Sequence, residues 1–112
     1  MEAGVGWLGY WLERMDGHYE SMPTFVPHLK KKPSEYFLEQ CFVSCDPDDK
    51  TIAAMMEFGG ADTIIWGSDY PHYDCLFPGA VAELARNCER LDDEQRAQVF
   101  GANAARLYGL DR

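Results

Sequence analysis

The sequence predicts an α/β protein built from βα units around a parallel sheet. Three observations lead there. Helical and extended patterns alternate along the chain, in the order helix, strand, helix, strand, helix, helix. The run Thr63-Ile64-Ile65-Trp66, bounded by Gly60 and Gly67, is short and continuously apolar, as strands covered on both faces are. The 112 residues hold about three βα units of roughly 30 residues each, against the ~250 that a closed barrel of eight needs. A chain of this length is a fragment of a barrel, a part that assembles with other chains, or a small open sheet.

Each element follows from local chemistry. Residues 6–19 place Trp7, Leu8, Trp11, Leu12 and Met15 at helical spacing, with Glu13, Arg14 and Asp16 between them. That pattern predicts an amphipathic helix. Pro23, Pro27 and Pro33 make residues 21–35 a loop, because proline restricts its predecessor and donates no backbone hydrogen bond. Phe37 to Ser44 is rich in aromatic, apolar and β-branched residues and reads as a strand, with Cys41 and Cys45 on one face. Asp46-Pro47-Asp48-Asp49 reads as a helix cap, since acidic side chains accept from the free N–H groups of a first turn. The helix it caps runs from about Asp48 to Phe58, presents Ile52, Met55, Met56 and Phe58, and stops at Gly59-Gly60.

After the second strand, Gly67-Ser68-Asp69-Tyr70-Pro71-His72 is a turn at its C-terminal end. A helix over roughly Gly79 to Glu89 carries Val81, Leu84, Ala85 and Cys88 on one side. Asp92 or Asp93 caps a further helix, which Gln95 to Phe100 continues and Gly101 interrupts. Asn103 caps a last turn carrying Ala104, Leu107 and Tyr108. Arg106 beside it serves the closing helix through a carboxylate partner.

Composition narrows the function. Nineteen acidic against ten basic residues give a net charge of −9, which repels phosphate backbones and argues against nucleic-acid binding. The cluster Lys30-Lys31-Lys32 reads as a solvated face. No apolar run approaches the ~18 residues of a spanning helix, so no membrane partner is expected, and no leader peptide is visible. Cys41, Cys45, Cys75 and Cys88 contain no C-x-x-C pair and read as buried, reduced thiols. The compartment expected from them is the cytoplasm.

In parallel α/β sheets, functional groups gather at the C-terminal ends of strands. Asp69 stands at that place, after small residues that let the backbone turn and before a proline that directs it away. A carboxylate there can ligate a divalent metal or act as a general base. From the residues alone, an aspartate after a strand is more often just a turn or helix cap.

The stretch Ile64-Ile65-Trp66-Gly67-Ser68-Asp69-Tyr70-Pro71-His72 resembles the strand-eight signature of the amidohydrolase-related family, which includes aminocarboxymuconate-semialdehyde decarboxylase-like enzymes. Glu2-Ala-Gly-Val-Gly-Trp7 resembles the end of that family's sixth strand. Pro33-Ser34-Glu35-Tyr36 through Ser44 resembles its approach to strand seven, and Phe100 through Gly109 its closing helix. The resemblance implies that residues 1–112 are a C-terminal fragment of one amidohydrolase-related domain. That fragment is about three βα units of a (β/α)8 TIM barrel of the metal-dependent hydrolase type. It further implies one divalent metal, zinc or alternatively manganese, with Asp69 as metal ligand and catalytic acid/base. His72, Glu2 and Tyr70 are expected to contact substrate or to support the ligand.

The family's His-x-His pair after strand one and its further His after strand five have no counterpart in this chain. One carboxylate does not hold zinc, which takes about three protein ligands at a catalytic site, so the isolated 112 residues are expected to be inactive. Met1-Glu2 reads as a break inside a strand. The implied activity is hydrolysis of an amide, ester or lactone; the alternative is non-oxidative decarboxylation. A second alternative is a non-catalytic remnant or assembly module that pairs its open sheet edges with another chain. The expected partner is a small molecule, a carboxylic acid or its derivative, with a homo-oligomer left open. Trp7 and Trp11 read as packing, and His18 and His28 as surface groups.

Overall fold

The computed structural model describes residues 3–110. In chain order its elements are α1 (Leu8–Ser21), α2 (Pro33–Gln40), β1 (Val43–Cys45), α3 (Ile52–Gly59), β2 (Ile64–Trp66), α4 (Ala80–Asn87), α5 (Asp93–Ala97) and α6 (Asn103–Leu107). Short 3-10 turns occupy Pro23–Phe25 and Ala61–Thr63. The two strands pair in parallel, Val43 opposite Ile64, Ser44 opposite Ile65 and Cys45 opposite Trp66. Because parallel neighbours need a crossover, α3 carries the chain back from the end of β1 to the start of β2.

One core joins these elements. Leu8 and Leu12 of α1 meet Val43 and Cys45 of β1, Ile52 and Met56 of α3, and Ile64 of β2. Leu84 and Cys88 of α4, with Leu91 and Val99, complete it. Burial pushes the Cys45 thiol up to about 12 and raises that of Cys88 as well. Both sulfurs are therefore inert thiols in the core, whereas Cys41 is exposed and Cys75 half-buried.

Residues 33–40 are helical where the sequence reading placed the start of a strand. Pro33 fits the first helical position, where no N–H is needed. The Glu35 carboxylate accepts from the Lys32 N–H at 2.8 Å, and the Lys32 carbonyl accepts from the N–H groups of Glu35 and Tyr36. This helix start outweighs the strand propensity of Tyr36 and Phe37. Cys41 ends the helix and shares no strand face with Cys45.

The acidic run 46–49 does not cap α3, which begins at Ile52 with Thr51 before it. Instead the Asp49 carboxylate accepts from the Thr51 N–H at 3.0 Å, the Thr51 hydroxyl at 2.6 Å and the Val5 N–H at 2.7 Å. It therefore ties this loop to residues 4–5. On α4 the inward positions are Ala80, Leu84 and Cys88, four residues apart, and Val81 faces solvent. Phe58 on α3 is likewise exposed. On β2, Ile64 is buried while Ile65 and Trp66 are half-buried, because β1 is the sole strand beside it among the described residues.

The chain's end is organised by side chains. Asp92 caps α5 in a reciprocal box with Gln95, at 2.8 and 3.2 Å. A kink at Gly101, whose backbone is non-helical, separates α5 and the turn after it from α6. Asn103 is no cap. It is buried and donates to the carbonyls of Ala61 and Ile64, both at 2.7 Å. Arg106 hydrogen-bonds the Asp62 carbonyl and lies 3.7 Å from the Asp62 carboxylate. Among the described residues, no helix is long and apolar enough to cross a membrane.

Candidate functional site

Parallel pairing brings the carboxyl ends of β1 and β2 to one edge. The ladder continues one step past the strands, with the Gly67 N–H donating to the Cys45 carbonyl at 3.4 Å. Asp46 thus follows β1 where Gly67-Ser68-Asp69 follows β2. Asp69 has φ 57°, a left-handed conformation that aspartate tolerates better than most residues. Two turns come next: the His72 N–H donates to the Asp69 carbonyl at 2.8 Å, and the Cys75 N–H to the His72 carbonyl at 3.2 Å.

These turns bring three side chains together. His72 Nδ1 lies 3.0 Å from Asp74 Oδ1 and 3.3 Å from Asp69 Oδ2. They face a polar cavity of about 240 Å³, which Asp46 and Asp48 line from the β1 side and Ser68 and Tyr73 from the β2 side. Asp69 is an exposed residue at the cavity rim, its side chain 35% accessible.

The cavity is strongly negative. Desolvation raises the Asp46 carboxyl above its usual range, and the neighbouring charges of Asp48, Asp49, Asp69 and Asp74 add to the shift. Asp74 moves the other way, held low by its hydrogen bond to His72. No lysine or arginine lines the cavity among the described residues. One donor atom each from Asp69, His72 and Asp74 lies within 4.8 Å of the others. Carboxylate oxygen with imidazole nitrogen is a donor set that suits zinc or manganese.

Of the residues singled out in the sequence, Asp69 and His72 come together. The Tyr70 ring lies against Phe77, centroids 4.7 Å apart, and the aromatic that lines the cavity is Tyr73. Glu2 lies outside the described residues. Trp7 is half-buried and donates its indole N–H to the Gly4 carbonyl at 2.9 Å; Trp11 is half exposed. His18 and His28 are surface groups. The sequence reading did not weigh Asp74, and it took Asp46 and Asp48 for helix caps. Their signal was positional: Asp46 follows the first strand, and Asp74 stands two residues past His72.

Parallel strands joined through helices, with a polar cavity at their carboxyl ends, make the arrangement of α/β-barrel and open-sheet enzymes. Within that class the chain belongs to the amidohydrolase family, whose model matches residues 1–110. The L-fucono-1,5-lactonase of Burkholderia ambifaria is 35% identical over 68 residues, 54% of this chain and 23% of the lactonase. The 5-carboxyvanillate decarboxylase of Sphingomonas paucimobilis is similar in structure, with a TM-score of 0.73 at 30% identity. That match covers 92% of this chain and 31% of the decarboxylase. An amidohydrolase from Mycobacterium avium subsp. paratuberculosis superposes with a TM-score of 0.77 at 19% identity, over 96% of this chain and 26% of its own; that likeness shows the fold alone. The chain thus spans about a quarter to a third of the length of these relatives. The family includes hydrolases and decarboxylases that act on small molecules, and it generally uses a divalent metal.

Proposed function

We propose that the chain is the C-terminal part, about three βα units, of a single (β/α)8 amidohydrolase domain, and that this domain hydrolyses an ester, lactone or amide bond. One observation carries the reading. Asp69 follows β2 at the rim of an anionic cavity, with His72 against its carboxylate. Asp69 would hold the divalent cation, together with ligands from the preceding barrel strands. A cation there supplies Lewis acidity toward a carbonyl oxygen and makes water more acidic. Asp69 itself takes the proton released from the attacking water and returns it to the leaving group. His72 supports the carboxylate through its Nδ1 contact. Asp46 and Asp48 lend negative charge, which favours retention of a cation and disfavours an anionic substrate.

That last point orders the two family chemistries. A lactone or ester is neutral and enters this cavity without repulsion. A carboxylic acid awaiting decarboxylation is anionic and would depend on the bound cation to offset the four aspartates that line this cavity. The decarboxylation reading keeps one support, the 30% identical decarboxylase structure that covers 92% of this chain.

The test joins the chain to the preceding two thirds of a family barrel and assays a sugar lactone and an aromatic carboxylate with zinc or manganese. Metal-dependent lactone turnover that Asp69→Asn reduces by about 10³-fold or more is the expected result. Loss of carboxylate with no lactone hydrolysis would favour the lyase. Turnover indifferent to Asp69→Asn would leave the chain an assembly module.

A further inference from the structure

We propose that Asp74 is a positioning residue, which acts through His72 to fix the carboxylate of Asp69 at the cavity rim. The inference rests on the reading of Asp69 given above and adds a residue to it. His72 Nδ1 lies between two carboxylate oxygens, 3.0 Å from Asp74 and 3.3 Å from Asp69. Ionised carboxylates only accept hydrogen bonds. Nδ1 is therefore placed to donate: it is within hydrogen-bond distance of Asp74, and the Asp69 carboxylate lies at ion-pair distance beside it. The shorter contact is to Asp74, so Asp74 holds the ring and the ring holds Asp69.

The loop backbone makes this arrangement specific. The turns closed by His72 N–H to Asp69 and Cys75 N–H to His72 set residue 72 between residues 69 and 74. Side-chain exposures of 35% for Asp69, 52% for His72 and 61% for Asp74 keep the contribution to stability small. What the bridge governs is orientation. A metal-binding carboxylate on an exposed loop loses affinity when its supporting hydrogen bonds go, by about 10- to 100-fold in typical cases. Sequence spacing alone did not mark Asp74, since a carboxylate two residues past a histidine is commonplace in loops.

The experiment uses the chain, alone isotope-labelled, joined to the preceding two thirds of a family barrel, and reads the His72 ring nitrogens and the Asp69 side-chain carboxyl resonance by NMR. Mn²⁺ affinity is measured alongside, with circular dichroism as the control for folding. The wild type should show a protonated Nδ1. Asp74→Ala should lower the share of the Nδ1–H tautomer, move the Asp69 carboxyl resonance and weaken Mn²⁺ binding about tenfold. Asp74→Asn retains an acceptor oxygen and should keep the Nδ1 proton. A ring pattern that ignores Asp74→Ala overturns the proposal, and so does an Asn variant that behaves like Ala. Asp69→Asn separates the two readings. Mn²⁺ binding unchanged in that variant removes Asp69 as a ligand, while the ring and carboxyl resonances still decide what Asp74 does.

Discussion

Asp69 combines a functional carboxylate with a left-handed backbone, and the two can be separated by substitution. Most L-residues pay about 1–2 kcal/mol for that conformation, whereas Asp and Asn adopt it more readily. Asp69→Asn should therefore unfold within about 0.5 kcal/mol of the wild type, and Asp69→Ala about 1 kcal/mol below it. Both should lose the stabilisation that Mn²⁺ gives the barrel completed with the preceding strands, and denaturant titration with and without Mn²⁺ reads both effects. Asp46 offers a second residue-scale check. Its folded pKa is raised, by desolvation and then by like charges, so the folded state holds this proton more tightly than the unfolded chain does. Stability linked to Asp46 consequently falls as pH rises from about 3.9, the unfolded value, through the raised folded one. Asp74, with its pKa lowered, contributes in the opposite sense: its share is present above the unfolded pKa and lost as pH falls. Asp46→Asn should raise the Tm at pH 7, and the gain should shrink as pH falls through the raised folded pKa toward the unfolded one.

At the scale of elements, two buried contacts tie the βα units together. Asn103 of α6 donates both amide hydrogens to carbonyls at the start of β2, which anchors the closing helix to the strand that bears the site. Asn103→Ala strands the Ala61 and Ile64 carbonyls and opens a small void. A loss of about 2–3 kcal/mol is expected by chemical denaturation. Gly59, at the end of α3, meets α1 so closely that an added Cβ would collide with Leu8, itself wholly buried. Gly59→Ala should cost about 1–3 kcal/mol through overpacking alone. These contacts explain which elements the sequence disclosed. The periodic faces of α1, α3 and α4 and the apolar run of β2 are local signals, and each produced its element. Residues 33–40 carried competing signals. Strand-forming Tyr36 and Phe37 followed Pro33 and Glu35, a helix start that deserved more weight. Asn103 looked like a cap because capping is local, whereas its partners lie about 40 residues away in sequence. The site was legible for the same reason in part: Asp69 and His72 lie within one short motif after a strand. The cavity wall contributed by Asp46 and Asp48 became visible only once β1 and β2 were paired.

For the whole molecule, surface area exposes what length alone could only suggest. A monomer of 12.7 kDa typically exposes about 6,200 Å², and this chain exposes 7625 Å². Its radius of gyration is 15.5 Å, against about 13 Å for a compact domain of this length. Part of the exposed surface is apolar. A groove of about 830 Å³ runs beside α1, α2 and β1, walled by Trp7, Trp11, Met15, Phe37 and Phe42. No residue of β2 lines it. Two strands with open outer edges and an uncovered apolar wall should not stay dispersed in water. Purified alone, the chain should therefore self-associate at micromolar concentration and bind a hydrophobic dye, as sedimentation and fluorescence would register. Trp11 is half exposed in that groove, so Trp11→Glu removes apolar area from the contact while leaving the core of α1 intact. The variant should weaken association by about tenfold, roughly 1.4 kcal/mol, with its monomeric Tm close to that of the wild type. Addition of the preceding barrel strands should suppress association and dye binding together, since they would occupy the same surface. A chain that remains monomeric at every concentration, with no dye bound, would mean that the groove closes on itself and that the barrel edge is not open.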